Sequence, residues 1–151
     1  MALDLMRDIT TALKSEISAE LGSDYRELDY LEDVAKNSFR SGNDRYGVRA
    51  LGGIQEPGVT KMVTITQQYE IVLTKGYTES NIDDDPQVSK SYDNRENFLE
   101  IYKRLVNNRG GLPGTIINIT DLTISEPEFL VDDKIAIQRA TLSITYRYSL
   151  I

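Results

Sequence analysis

The closing stretch RATLSITYRYSLI, residues 139 to 151, constrains this chain more than any other. From Ala140 the even positions read Ala, Leu, Ile, Tyr, Tyr, Leu, and the odd positions from Thr141 to Ser149 are all polar. A period of two over this length specifies a β-strand with one buried face and one wet face. Just upstream the phase is reversed, because Ile135 and Ile137 are apolar at odd positions. A bulge near Gln138 and Arg139 is expected to bring both halves onto one face. A strand from about 134 to 150 would extend roughly 56 Å at ~3.3 Å per residue. A compact domain of this size has a radius of gyration of about 15 Å. The strand must therefore bend at its bulge, or reach beyond its own globule to be completed by a neighbouring subunit.

The partners for such a strand are legible upstream. In residues 62 to 73, Val63, Ile65, Tyr69, Ile71 and Leu73 share one face of a second strand. Residues 4 to 21 repeat Met6, Ile9, Leu13, Ile17 and Leu21 at helical spacing, with Asp4 as N-cap and Gly22 as the stop. A second helix is expected from Asp93, where Asp93 and Glu96 have capping-box spacing. Its buried stripe is Phe98, Ile101, Tyr102 and Leu105, and it breaks at NNRGGLPG, residues 107 to 114. Further strands are expected at 28 to 34, weakly, and at about 115 to 124, with a turn at Asp132 and Asp133. Residues 36 to 57 read as a loop with short extended pieces, and 76 to 93 as a polar loop. The order predicts one α+β domain over residues 1–151, a mostly antiparallel sheet packed against two main helices.

Composition narrows the chemistry. The 151 residues include neither cysteine nor histidine, so Ser-His and Cys-His pairs and the commonest zinc ligands are missing. The net charge of -7 argues against a general nucleic-acid binder. No apolar run approaches the ~20 residues of a membrane span. The start MALDLMRDIT has acids where a secretory leader would be basic, so no leader is expected. GGLPGT at 110 to 115 lacks the lysine of a P-loop and follows a helix, the wrong end for phosphate. Asp83, Asp84 and Asp85 offer oxygen donors to a hard cation but lack EF-hand spacing, and an exposed acidic loop is the plainer expectation. NIT at 118 to 120 fits a glycosylation acceptor and means little without a leader. An enzyme is not expected, and neither is a cofactor.

Charge is distributed unevenly. Residues 36 to 61 hold Lys36, Arg40, Arg45, Arg49 and Lys61 against Asp44 and Glu56. Residues 76 to 100 hold seven acids against Lys90 and Arg95. A basic and an acidic segment on one small chain suit a head-to-tail contact between copies. Two solvated loops would carry the same charges to no such end. Arg40, Arg45, Tyr46 and Arg49 on one loop, and Asp83, Asp84 and Asp85 on another, are the candidate contacts between subunits or with a partner.

The whole arrangement resembles the tail terminator, or tail-completion, proteins of long-tailed bacteriophages. The resemblance is carried by LMRDITTALKSEISAEL, KNSFRSGNDRYGVRALGG, TITQQYEIVLTKGY, ENFLEIYKRLVNNRGGLPG, ISEPEFL and ATLSITYRYSLI. It covers nearly the whole chain and contains no catalytic signature. It implies a homo-hexameric ring that caps the tail tube protein, ends tail polymerisation and presents the surface to which the head attaches. Further implied partners are the tail sheath protein, in a contractile tail, and a head-completion or connector protein. Genomic DNA would pass through the ring without specific binding, and an acidic lining would suit it. Assembly in the host cytoplasm and residence in the virion follow from the same resemblance. A different neck subunit, a head-closure or head–tail joining protein, is the alternative.

Overall fold

The computed structural model describes residues 2–28, 44–57, 61–76, 86–107, 112–130 and 135–149. Among these, the elements in order are α1 (Ala2–Leu21), β1 (Tyr25–Glu27), β2 (Asp44–Pro57), β3 (Met62–Gly76), α2 (Pro86–Asn107), β4 (Ile116–Ile124), β5 (Glu128–Leu130) and β6 (Ile135–Ser149). The strands form one sheet in the order β1-β2-β3-β6-β4, with β5 also paired to β6. Among the described strands, only the short β1–β2 pairing is parallel. This is the α+β fold expected from the sequence.

Both helices lie on one face of the sheet. Ile9, Leu13 and Ile17 of α1 and Phe98, Ile101 and Leu105 of α2 meet Tyr46, Val48, Tyr69, Ile71, Leu73, Leu142, Ile144 and Tyr146 in one core. Those sheet residues are alternate positions of β2, β3 and β6, as a period of two requires. The helices are tied to each other by Arg104, whose Nε lies 2.6 Å from Glu16 and whose Nη1 lies 3.5 Å from Glu20. Gly22 ends α1 as expected: its φ is 89°, and its amide donates to the Ser18 carbonyl at 3.0 Å. The helix begins at Ala2, so Asp4 lies inside it and not at the N-cap position.

The largest correction is β6. It pairs with β3 without interruption from Met62↔Ser149 to Gly76↔Ile135, so it carries no bulge against that neighbour. The irregularities fall in β4, between Ile116 and Asn118 and between Thr120 and Thr123. The reversed phase has another origin. Ile135 and Ile137 stand on the opposite face of the sheet and form a second apolar cluster with Val72 and Leu28. Both faces are covered at this end, so no bulge is needed to hide them.

Three boundaries also differ from expectation. Residues 44–57, read as loop, form the long strand β2, because Tyr46 and Val48 share the core face while three glycines dilute the apolar signal. Pairing along β3 overrides that weak local preference. The second helix begins at Pro86, seven residues before the capping-box reading, so residues 86–93 are helix and not loop. Proline suits a first helical position because the amide it lacks has no partner there. The early strand is β1, ahead of the stretch 28–34, most of which lies outside the described residues, as do the turn at Asp132–Asp133 and residues 108–111. Strand β5 was not anticipated. No helix among the described residues is long and apolar enough to cross a membrane.

Candidate functional site

The helix-free face of the sheet is where this protein presents chemistry. Thr64, Thr66 and Gln68 of β3 alternate onto it, and so do Thr141, Ser143, Thr145 and Arg147 of β6. The Thr66 and Thr145 hydroxyls face each other across the strands at 3.1 Å. Two shallow hollows flank this pair. One, of 440 Å³, is lined by Gly52, Gly53, Thr66, Gln68, Asp121 and Ser143. The other, of 450 Å³, lies at the end of the sheet among Met62, Thr115, Ile117, Arg147 and Ser149. Met62 and Ile117 are exposed there, beside the exposed Arg147. Hydroxyls, one amide, the Asp121 carboxylate and one guanidinium line these open hollows, a polar set that suits surface contact.

A β-bulge between Ala50 and Gly53 shapes the first hollow. Gln67, buried beneath the bulge, holds its backbone, its amide donating to the carbonyls of Leu51, Gly52 and Gln68. A Cβ at Gly53 would stand 2.8 Å from Gln67 Oε1 and 3.1 Å from the Thr66 carbonyl oxygen, so a larger residue there would displace the Gln67 amide and press on β3.

The structure separates the residues singled out from the basic segment. Arg45, Tyr46 and Arg49 belong to β2, not to a loop, and alternation sends them to two faces. Tyr46 points into the core at 8% exposure and serves the fold. Arg45 and Arg49 stand on the helix-free side, opposite Thr74 and Glu70. Arg49 Nε is 3.0 Å from the Glu70 carboxylate, so this guanidinium already has an acid within its own chain. Arg45 Nε is buried without a hydrogen-bond acceptor among the described residues, while its backbone amide donates to Thr74 Oγ1 at 3.0 Å. Arg40, Asp83, Asp84 and Asp85 lie outside the described residues.

A second polar cluster joins β1, β2, β3 and α2. The Tyr25 hydroxyl accepts from Asn97 Nδ2 at 3.0 Å and from Lys75 Nζ at 3.3 Å. Lys75 lies 3.8 Å from Asp44, whose other oxygen accepts the Gly76 amide at 3.1 Å. Burial, and then the nearby Asp44 and Asp93 carboxylates, push the Tyr25 phenol well above the ordinary tyrosine value. It therefore stays neutral and pins β1 to α2, which is structural work. Among the described residues, no group of three or more acidic side chains is gathered to hold a metal ion.

The outward side of α2 carries Tyr92, Leu99 and Val106, all exposed, at seven-residue spacing. Among the described residues, β2 beyond Tyr46 and the whole of β4 each have an edge with no strand partner. The heptad of apolar residues was visible in the sequence. The edges were not, because strand order is a tertiary property. Compared with known proteins, the chain matches no family model, and no curated protein is similar enough to count as a relative.

Proposed function

We propose that this protein is a ring-forming structural subunit of a phage tail, a tail terminator that caps the tube and stops its growth. The observation that carries the reading is the placement of two strand edges, on β2 and β4, at opposite sides of one sheet and without a strand partner among the described residues. Such edges are templates for another strand. Two on one subunit, at opposite sides, make a heterologous contact that closes into a ring when the rotation between copies allows. Each copy's β2 edge would meet the β4 edge of the next. The polar face between them, rich in threonine and serine, would remain available to the tube, to a connector or to the channel. Arg45 and Arg49 would flank the β2 edge, where the acidic run at Asp83, Asp84 and Asp85 of a neighbour is the electrostatic partner suggested by charge.

The test is negative-stain electron microscopy of the purified protein with class averaging. Rings of six subunits with an open centre are expected, or binding of the protein to one end of purified tail tubes. Particles that remain single at all concentrations and ignore tube ends would end this reading. Binding to the portal side alone would move the protein to another place in the neck.

A further inference from the structure

Helix α2 is amphipathic in an unusual way: it is apolar on two sides. One side enters the core through Phe98, Ile101 and Leu105. Away from it, Tyr92, Leu99 and Val106 are 62%, 48% and 37% exposed. Residues seven apart on an α-helix fall about 20° short of two full turns, so these three form a nearly straight ridge about four turns long. Exposed Arg95 lies on one flank of the ridge, and exposed Glu96 and Lys103 lie on the other.

The charge order suits a second copy of the same helix. A two-fold axis through Leu99, with the helices antiparallel, places Tyr92 against the partner's Val106 and Leu99 against the partner's Leu99. On the flank, the same operation brings Glu96 opposite the partner's Lys103, and Lys103 opposite the partner's Glu96. Both contacts pair unlike charges, and antiparallel helices also set their dipoles head to tail. A parallel arrangement would align the dipoles side by side. We infer that α2 is a self-association surface, in which two copies of this chain pack antiparallel through Tyr92, Leu99 and Val106 about a two-fold axis at Leu99. This contact is isologous and separate from the strand-edge contact proposed above, so it would join two subunits whether or not they stand in rings. One helix pair covers less than the ~800 Å² per partner of a standard interface, so the isolated pair should dissociate on dilution.

The absence of cysteine makes the test clean. In Leu99→Cys the two thiols meet across the axis, and mild oxidation should yield a covalent dimer. Tyr92→Cys places its thiols about 21 Å apart along the helix axes, too far for a disulfide, so it should not cross-link alone. Mixed with Val106→Cys it should give the mixed dimer. Glu96→Lys should lower the yield from Leu99→Cys at least several-fold, and adding Lys103→Glu should restore it. A Leu99→Cys protein that stays monomeric, or a Tyr92→Cys protein that dimerises as readily, overturns the inference. Neither result touches the ring, which is read from the wild-type protein by microscopy.

Discussion

The ribbon formed by β3 and β6 has two unlike ends. At one end, Val72, Leu73 and Thr74 are buried in succession, and so are Ile135, Ala136, Ile137 and Gln138. There the helix-free face is closed by the small cluster with Leu28. At the other end the strands alternate. Val63 and Tyr146 are buried, whereas Met62 and Arg147 are exposed. The same two strands, in unbroken register, thus pass from a sheet covered on both sides to a sheet covered on one. A broken alternation in a sequence has two physical causes, an inserted residue or a second covered face, and here it is the second. The covered end anchors the fold. The other end leaves a surface to be used.

The sharpest way to break this comparison is a charge at equivalent odd positions of β6. Ile137→Asp would bury a carboxyl among Val72, Ile135 and Leu28 with no partner in that cluster. The cost should exceed about 4 kcal/mol, a large part of the stability of an ordinary domain. Thr145→Asp, on the same face at the open end, should cost less than about 1 kcal/mol. Urea unfolding midpoints of the two variants give the difference. Equal losses would mean the faces are not covered as described.

Next in size is the buried face of the open end itself. Tyr146 is 2% exposed and sits in the main core, so Tyr146→Ala should cost about 3–5 kcal/mol. Deleting residues 146 to 151 removes that side chain together with the ladder from Met62 to Ile65, and should abolish cooperative unfolding. Met62→Ala, at the same end but on the open face, should cost less than about 1 kcal/mol. A truncated protein that still unfolds cooperatively would show that the open end is dispensable.

How far the sequence could be read follows from the same contrast. Where the second face is polar, as from Ala140 to Ser149, alternation reports both strand and core, and Leu142, Ile144 and Tyr146 are buried as the pattern implies. The stripes of α1 and α2 were legible for the same reason, since Ile9, Leu13, Ile17, Phe98, Ile101 and Leu105 each meet the sheet. Strand β2 was hidden because its glycines and arginines have no strand preference of their own; it is held by eleven pairings to β3. The start of α2 was misplaced because a capping-box spacing at Asp93 is coincidental inside a helix begun by Pro86. Of the candidate contacts, a run of charge could be counted but not placed. Tyr46 and Arg49 are three residues apart and face opposite sides of the sheet.

Midway between the two ends, Tyr69 allows a smaller test by pH. It is fully buried, and its phenol has no hydrogen-bond partner of good geometry among the described residues. Burial raises its pKa to about 12. The unfolded chain ionises near ~10, so the folded state holds its proton more tightly. That contribution is fully present below pH ~10 and is lost as pH rises toward ~12, about 3 kcal/mol in all. Tyr69→Phe should flatten the decline of melting temperature over this range, although Tyr25 and Tyr146, also raised by burial, leave part of it. At neutral pH the same change should have little effect, because the nearest polar neighbour, the Thr10 hydroxyl, already donates to the Met6 carbonyl and meets the phenol only in poor geometry. Tyr25→Phe should instead destabilise, since it orphans Asn97 Nδ2.

The smallest effect belongs to the open face. Thr66 and Thr145 exchange a hydroxyl–hydroxyl bond at 3.1 Å, and neither side chain is fully buried. A cross-strand pair of this kind contributes roughly 0.2–1 kcal/mol. Replacing both by valine keeps the branched shape that strands favour and leaves no polar atom without its partner. The double variant should therefore unfold within about 0.5 kcal/mol of the parent. Any larger change it makes must then appear in assembly, because the pair lies between the two hollows of the surface proposed for contact. Unchanged unfolding with altered binding to tube ends is the expected combination. A stability loss above about 1 kcal/mol would mean instead that the hydroxyls hold the open end together, and that this face serves the fold as the covered end does.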